Sequence, residues 1–184
     1  MKFLFTVFFV AVLLFAGIVA ILIWRGASAR SEPAFGELWV GRTLRHFAIP
    51  EAERKRHNPI IVTTQVMSDA RAHWADHCAI CHGNDGSGTT EIGRNLYPRS
   101  PDMRKPATQE LSDGELFAII RDGVRLTGMP GWGGTAEDNW KLVHLVRHLP
   151  HLTPEEIDEM ERLNPKSPAE YEQKRREEEF LKGH

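Results

Sequence analysis

Cys78, Cys81 and His82 stand together in the stretch CAICHG, and the chain of 184 residues holds no other cysteine. Two thiols two residues apart, followed at once by an imidazole, can do three kinds of chemistry. They can cycle as a redox disulfide, supply half of a metal site, or anchor a larger group through sulfur. A redox C-x-x-C normally sits beside a βαβ pattern, and no strand pattern flanks this one. A structural zinc needs four ligands, commonly from a second C-x-x-C or an H-x-x-x-H pair. His73/His77 and His144/His148 have the i,i+4 spacing. His144 and His148 project away from their helix's apolar stripe, however, so a closed site with the cysteines would be awkward.

Thiols on one helical turn can each form a thioether with a porphyrin vinyl group. His82 is then carried under the ring, where its imidazole can bond the iron. C-x-x-C-H is the attachment signature of c-type haem. An export-competent N-terminus, the absence of any competing cysteine and a small helical domain joined by long loops agree with it. One covalent haem c, held by Cys78 and Cys81 with His82 as axial ligand, is therefore expected. Haem is attached outside the cytoplasm, which places the domain on the periplasm-like side.

The second axial position falls to Met129 in TGMPGWGG, 47 residues beyond His82. Gly128 and Gly131 permit tight backbone there and Pro130 stiffens it, so the thioether is presented at fixed geometry. Met/His ligation favours ferrous iron and raises the potential. Met103 in SPDMRK is the rival, better read as a loop residue packing on the haem edge, and Met67 belongs to a core stripe.

These residues need helices to position them. Thr63 or Thr64 can cap a helix on which Met67, Ala70, Trp74 and Cys78 recur at spacings of three and four, ending at Gly83. Residues 84–110 are rich in glycine and proline and read as an irregular loop. LSDGELFAIIRDG predicts a second helix, with Ser112 as cap, Glu115 completing a capping box and Gly123 as the stop. A third helix starts near Thr135 and ends at Pro150. Leu142, Val143, Val146 and Leu149 form its stripe, while His144, His148 and His151 fall opposite as a solvated row.

The net charge of −2, from 23 Lys+Arg against 25 Asp+Glu, excludes a strongly basic nucleic-acid binder. Phe3 to Trp24 runs 22 residues without a charge, long enough for a bilayer and longer than the apolar core of an ordinary secretory signal. A retained anchor is favoured, single-pass, meeting lipid through residues 3–24. The alternative is cleavage at the small-residue sequence near Ala29. Lys2 before the span and Arg25 and Arg30 after it oppose the positive-inside tendency for an outward C-terminus. The expected organisation is an anchor (1–25), a connector (26–62) with a short amphipathic element, the haem domain (63–152) and a charged tail (153–184). The connector's run EAERKRHNP reads as a solvated face. The tail, with ten Asp/Glu against six Lys/Arg after His151, reads as partly helical, wrapped around the domain or loosely attached.

With these motifs placed, residues 63–150 resemble a class I monohaem c-type cytochrome of the membrane-anchored bacterial kind. The resemblance rests on HCAICHGNDGSG, LSDGELFAIIRDGVRLTGMPGWGG and NWKLVHLVRHLP. It implies an all-α cytochrome c fold in which the first and last helices cross, setting Met67, Ala70 and Trp74 against Val143, Val146 and Leu149. It also implies that a proline carbonyl, of Pro98 or failing that Pro101, accepts the Nδ1 proton of His82, and that Tyr97 and Trp132 line the pocket. The expected function is one-electron transfer with membrane-bound or periplasmic redox proteins such as respiratory oxidases or dehydrogenases, without catalysis of its own. A haem enzyme or a gas or redox sensor with a labile Met129 is the competing reading.

Overall fold

Short polar caps and glycines set most of the helix ends. The computed structural model describes residues 2–25, 28–29, 31–165, 175–176 and 179–182. Ala27, in the possible cleavage sequence, and most of the tail beyond 165 lie outside them. The chain divides into two units, residues 1–31 and 32–184, and no strand occurs among the described residues.

The first unit is α1 (Lys2–Arg25). It is the one helix among the described residues that is long and apolar enough to cross a membrane, a property that a membrane anchor and a signal sequence share.

The second unit opens with α2 (Phe35–Ala48) and α3 (Glu51–Arg54). Thr63 caps α4 (Thr64–His73) by accepting from the Val66 amide. The chain continues through a π-helical turn, Trp74–Cys78, into α5 (Ala79–His82), which Gly83 ends at φ 74°. Two single turns, α6 (Glu91–Arg94) and α7 (Pro106–Gln109), punctuate the following loop. α8 (Asp113–Asp122) begins at the expected Ser112–Glu115 capping box and stops at Gly123. α9 (Ala136–His148) is capped by Thr135 and α10 (Pro154–Leu163) by Thr153.

α4 and α8 both pack against α9. Ala70, Trp74, Phe117, Trp140, Val143 and Val146 join the core between them. Phe117 and Trp140 stack with ring centroids 4.2 Å apart. Burial of side chains this large contributes about 1.5–3 kcal/mol each.

Two expectations need correction. The connector's basic run is a solvated face only in part, since Glu53, Arg54, Arg56 and Asn58 are half-buried. Arg56 lies 4.6 Å over the Phe117 ring, Arg54 gives its carbonyl to the Ser112 hydroxyl, and Asn58 donates to the Trp140 carbonyl at 2.8 Å. The guanidinium covers an aromatic face while its charge stays partly wet. Nor do the histidines form a solvated row. His144 Nε2 is 2.8 Å from the Ile60 carbonyl and His148 meets Glu156 at 2.9 Å, leaving His151 exposed. The face opposite the α9 stripe is covered by the connector and by α10. Of the two expectations for the tail, residues 154–163 meet the first, since they are helical and packed on the domain. Met160 is fully buried in the core, and Arg71 ties α10 down through Glu156 and Glu159.

Candidate functional site

The π-helical turn ends on Cys78 itself, and such turns are frequent at functional sites. It begins at Trp74, which is 2% exposed and donates its Nε1–H to the Gly83 carbonyl at 2.9 Å. That bond spans the whole CAICH segment and fixes its end. The Trp74 and His82 rings lie 5.9 Å apart, tilted by 43°.

Cys78 and Cys81 are free thiols, both half-buried. Burial, with Cys81 nearby, pushes the Cys78 thiol up to about 12, and burial raises Cys81 as well. Both sulfurs therefore stay protonated at neutral pH. A disulfide-exchanging pair needs a thiolate of low pKa, so the environment disfavours that chemistry. His82 is buried, and burial pushes its pKa down to about 4, which leaves a neutral imidazole able to ligate a metal. Its Nδ1 is enclosed and has no hydrogen-bond partner among the described residues. Such an orphan costs about 1–3 kcal/mol.

The expected bond from that nitrogen to the carbonyl of Pro98 or Pro101 is not made, because the loop is fastened elsewhere. The Tyr97 hydroxyl donates to Glu37 and Arg99 pairs with Glu32. Ser100 donates its amide to Gly93 at 3.0 Å. A side chain at Gly88 would strike the carbonyls of Ser100 and Pro101 at 2.4 and 2.9 Å, so the two backbones are in contact. Tyr97 is 40% exposed and points to α2, and neither it nor Pro98 lines the cavity beside His82.

That cavity is lined by Cys78, His82, Met103, Met129 and Trp132, with Trp74 and apolar side chains of α8 and α9 closing it. The structure thus brings Met129 to the same chamber as the C-x-x-C-H segment, across 47 residues of sequence. The loop holding it is tightly pinned. Val124 donates to the Met129 carbonyl at 3.1 Å, the Met129 amide to the Thr127 hydroxyl at 3.0 Å, and Trp132 to the Ile120 carbonyl at 3.2 Å. Gly123 and Gly131 make this possible, since a side chain at either would collide with the other's backbone strand within 2.8 Å. Met103 reaches the same cavity, its amide held by the Gly86 carbonyl at 2.9 Å. Trp132 stacks on His77, ring centroids 5.1 Å apart. The sequence reading missed that stack and the Trp74 clamp; a tryptophan four residues before Cys78 was the available signal.

Free thiols on one turn, a neutral buried imidazole with an unmatched nitrogen, and a thioether at the same apolar chamber form a donor set that fits an iron porphyrin. The helices and this donor set agree with the resemblance to c-type cytochromes carried by the sequence. Residues 65–146 match the family model described as cytochrome C oxidase, cbb3-type, subunit III. A search of curated proteins found no match. The domain has the cytochrome c fold, with an apolar helix at its N-terminus. A cytochrome c domain implies haem c as the cofactor and haem-based electron transfer as the chemistry.

Proposed function

We propose that the protein carries single electrons on one haem c, bound covalently through Cys78 and Cys81, with His82 and Met129 as axial ligands. The observation that carries this reading is the placement of Met129 in the chamber that holds the buried, neutral His82. When bound, the haem supplies an iron that changes by one electron, at a potential set by its axial ligands and burial. The chain's own residues hold the site still. Trp74 locks the end of the His82 turn, and the loop from Val124 to Gly133 keeps Met129 in place. A rigid ligand pair leaves little to rearrange as charge changes.

We further propose that α1 is retained as a single-pass anchor and that the haem domain faces the periplasm. It would exchange electrons with membrane-bound or periplasmic redox proteins, possessing no catalytic activity of its own. The match to an oxidase subunit family supports a respiratory setting. The competing reading, a haem enzyme or sensor, requires Met129 to leave the iron. Absorption spectra of the reduced protein with and without carbon monoxide decide between them. An unreactive low-spin spectrum, made reactive by Met129→Ala, is expected. Rapid carbon monoxide binding by the wild type would overturn the carrier assignment.

A further inference from the structure

α2 turns the wrong side outward for a helix of a water-soluble domain. Its polar residues make the protein contacts. Glu37 accepts from Tyr97, and His46 Nδ1 meets Glu115 at 3.1 Å while its Nε2 meets Arg54 at 2.5 Å. Its large apolar residues have no cover within unit 2: Phe35 is 85% exposed, Trp39 62%, Leu44 64% and Phe47 77%. At 100° per residue, Phe35, Trp39, Phe47, Val40 and Leu44 occupy one half of the helix, with Thr43 and His46 among them, and Glu37, Arg42 and Arg45 the other, with Leu38. A helix with Trp, Phe and Leu on one face and Arg on the other is the composition of an in-plane interfacial helix. Large apolar side chains exposed together in this way mark an interaction site.

The covalent chain says what meets it. Nine residues lie between Arg25, the end of α1, and Phe35, a stretch that reaches at most about 35 Å when fully extended. A helix so tethered to a membrane span meets bilayer before any other apolar phase. We propose that α2 lies in the membrane–water interface, with Phe35, Trp39, Leu44 and Phe47 in the acyl boundary. This rests on α1 being retained as an anchor. Because α2 is bonded at its two ends to the Tyr97–Arg99 loop and to the start of α8, the interface would hold the haem domain in one orientation instead of letting it swing on a linker.

The test uses the full haem-loaded chain in lipid nanodiscs of neutral and anionic phospholipid. Nitroxide labels are placed at Trp39→Cys, at Phe47→Cys and, as a control on the polar half, at Arg42→Cys. Native thiols held in thioethers take no label, so labelling of the unsubstituted chain would instead expose a failure of the proposed haem attachment. We expect labels at 39 and 47 to collide about threefold or more in favour of oxygen over a water-soluble nickel chelate, relative to the label at 42. Equal, chelate-dominated collisions at all three positions overturn the proposal. Dipolar broadening at 39 and 47, with both quenchers excluded, overturns it in favour of a second copy of the chain. The intact mass of the same sample reports separately on α1. Loss of residues 1–29 would sink the anchor reading and, with it, the tether on which this inference rests.

Discussion

Trp74 and Gly83 are joined by an indole N–H to carbonyl bond of 2.9 Å that closes a loop around Cys78, Cys81 and His82. The tryptophan is almost wholly buried, so it both fills the core and sets the attitude of the turn. Trp74→Phe keeps much of the volume and loses the bond. We expect a loss of about 1 kcal/mol of stability and a broadened, partly high-spin absorption spectrum as His82 loosens. Trp74→Ala should cost about 3–5 kcal/mol. Denaturant unfolding followed at the haem band checks both, and an unchanged spectrum in Trp74→Phe would deny the indole its positioning role.

Gly114 is a second point where backbone meets backbone. A methyl group there would sit 1.9 Å from the Glu53 carbonyl oxygen. Neither α3 nor the first turn of α8 can yield without breaking the Ser112 to Arg54 hydrogen bond at 2.7 Å. Gly114→Ala should destabilise by about 1–3 kcal/mol through this overpacking, although alanine favours helices elsewhere. A urea midpoint at or above that of the wild type would show that α3 moves freely.

How much of this was legible in the sequence depends on whether the signal was local. The Ser112–Glu115 box, Thr135 and the stops at Gly83 and Gly123 rest on short-range rules, and each appears where those rules put it. The spacing of Cys78, Cys81 and His82 was equally plain. Arg56 over Phe117, and Met160 in the core, were hidden because they join residues 61 and more positions apart from their partners' elements. Charge in EAERKRHNP and in the tail suggested solvent, yet a guanidinium can cover an aromatic ring and an acidic helix can bury a single methionine. The π-helical turn has no sequence rule that finds it.

Acid should release α10. Burial pushes the Glu156 carboxyl up, but the Thr153 amide, His148 and Arg71 outweigh it, and its pKa lies below the ordinary 4.5. A depressed folded-state value means that the carboxylate stabilises the fold fully above pH 4.5 and progressively less as pH falls through that lower value. We expect increased proteolysis after α9 in this acid window. Glu156→Gln should bring the same susceptibility to neutral pH, at a cost of about 0.5–1 kcal/mol. A cleavage rate in Glu156→Gln equal to that of the wild type would mean that Met160 alone holds the helix.

The loop that presents Met129 offers a contrast between two glycines only three residues apart. A methyl at Gly128 would meet the end of the Leu96 side chain at 2.6 Å, and a leucine can rotate away. A methyl at Gly131 would meet the carbonyl carbon and oxygen of Asp122 at 2.8 Å, and that backbone is held by the final turn of α8. Gly128→Ala should therefore cost less than about 1 kcal/mol, and Gly131→Ala about 1–3 kcal/mol. Because Gly131 follows Met129 by two residues, the second change should also displace the sulfur. With Met129 on the iron as proposed, the methionine–iron charge-transfer band is expected to be retained in Gly128→Ala and weakened or lost in Gly131→Ala. The opposite order would mean that the Leu96 side, and not the end of α8, fixes where Met129 points.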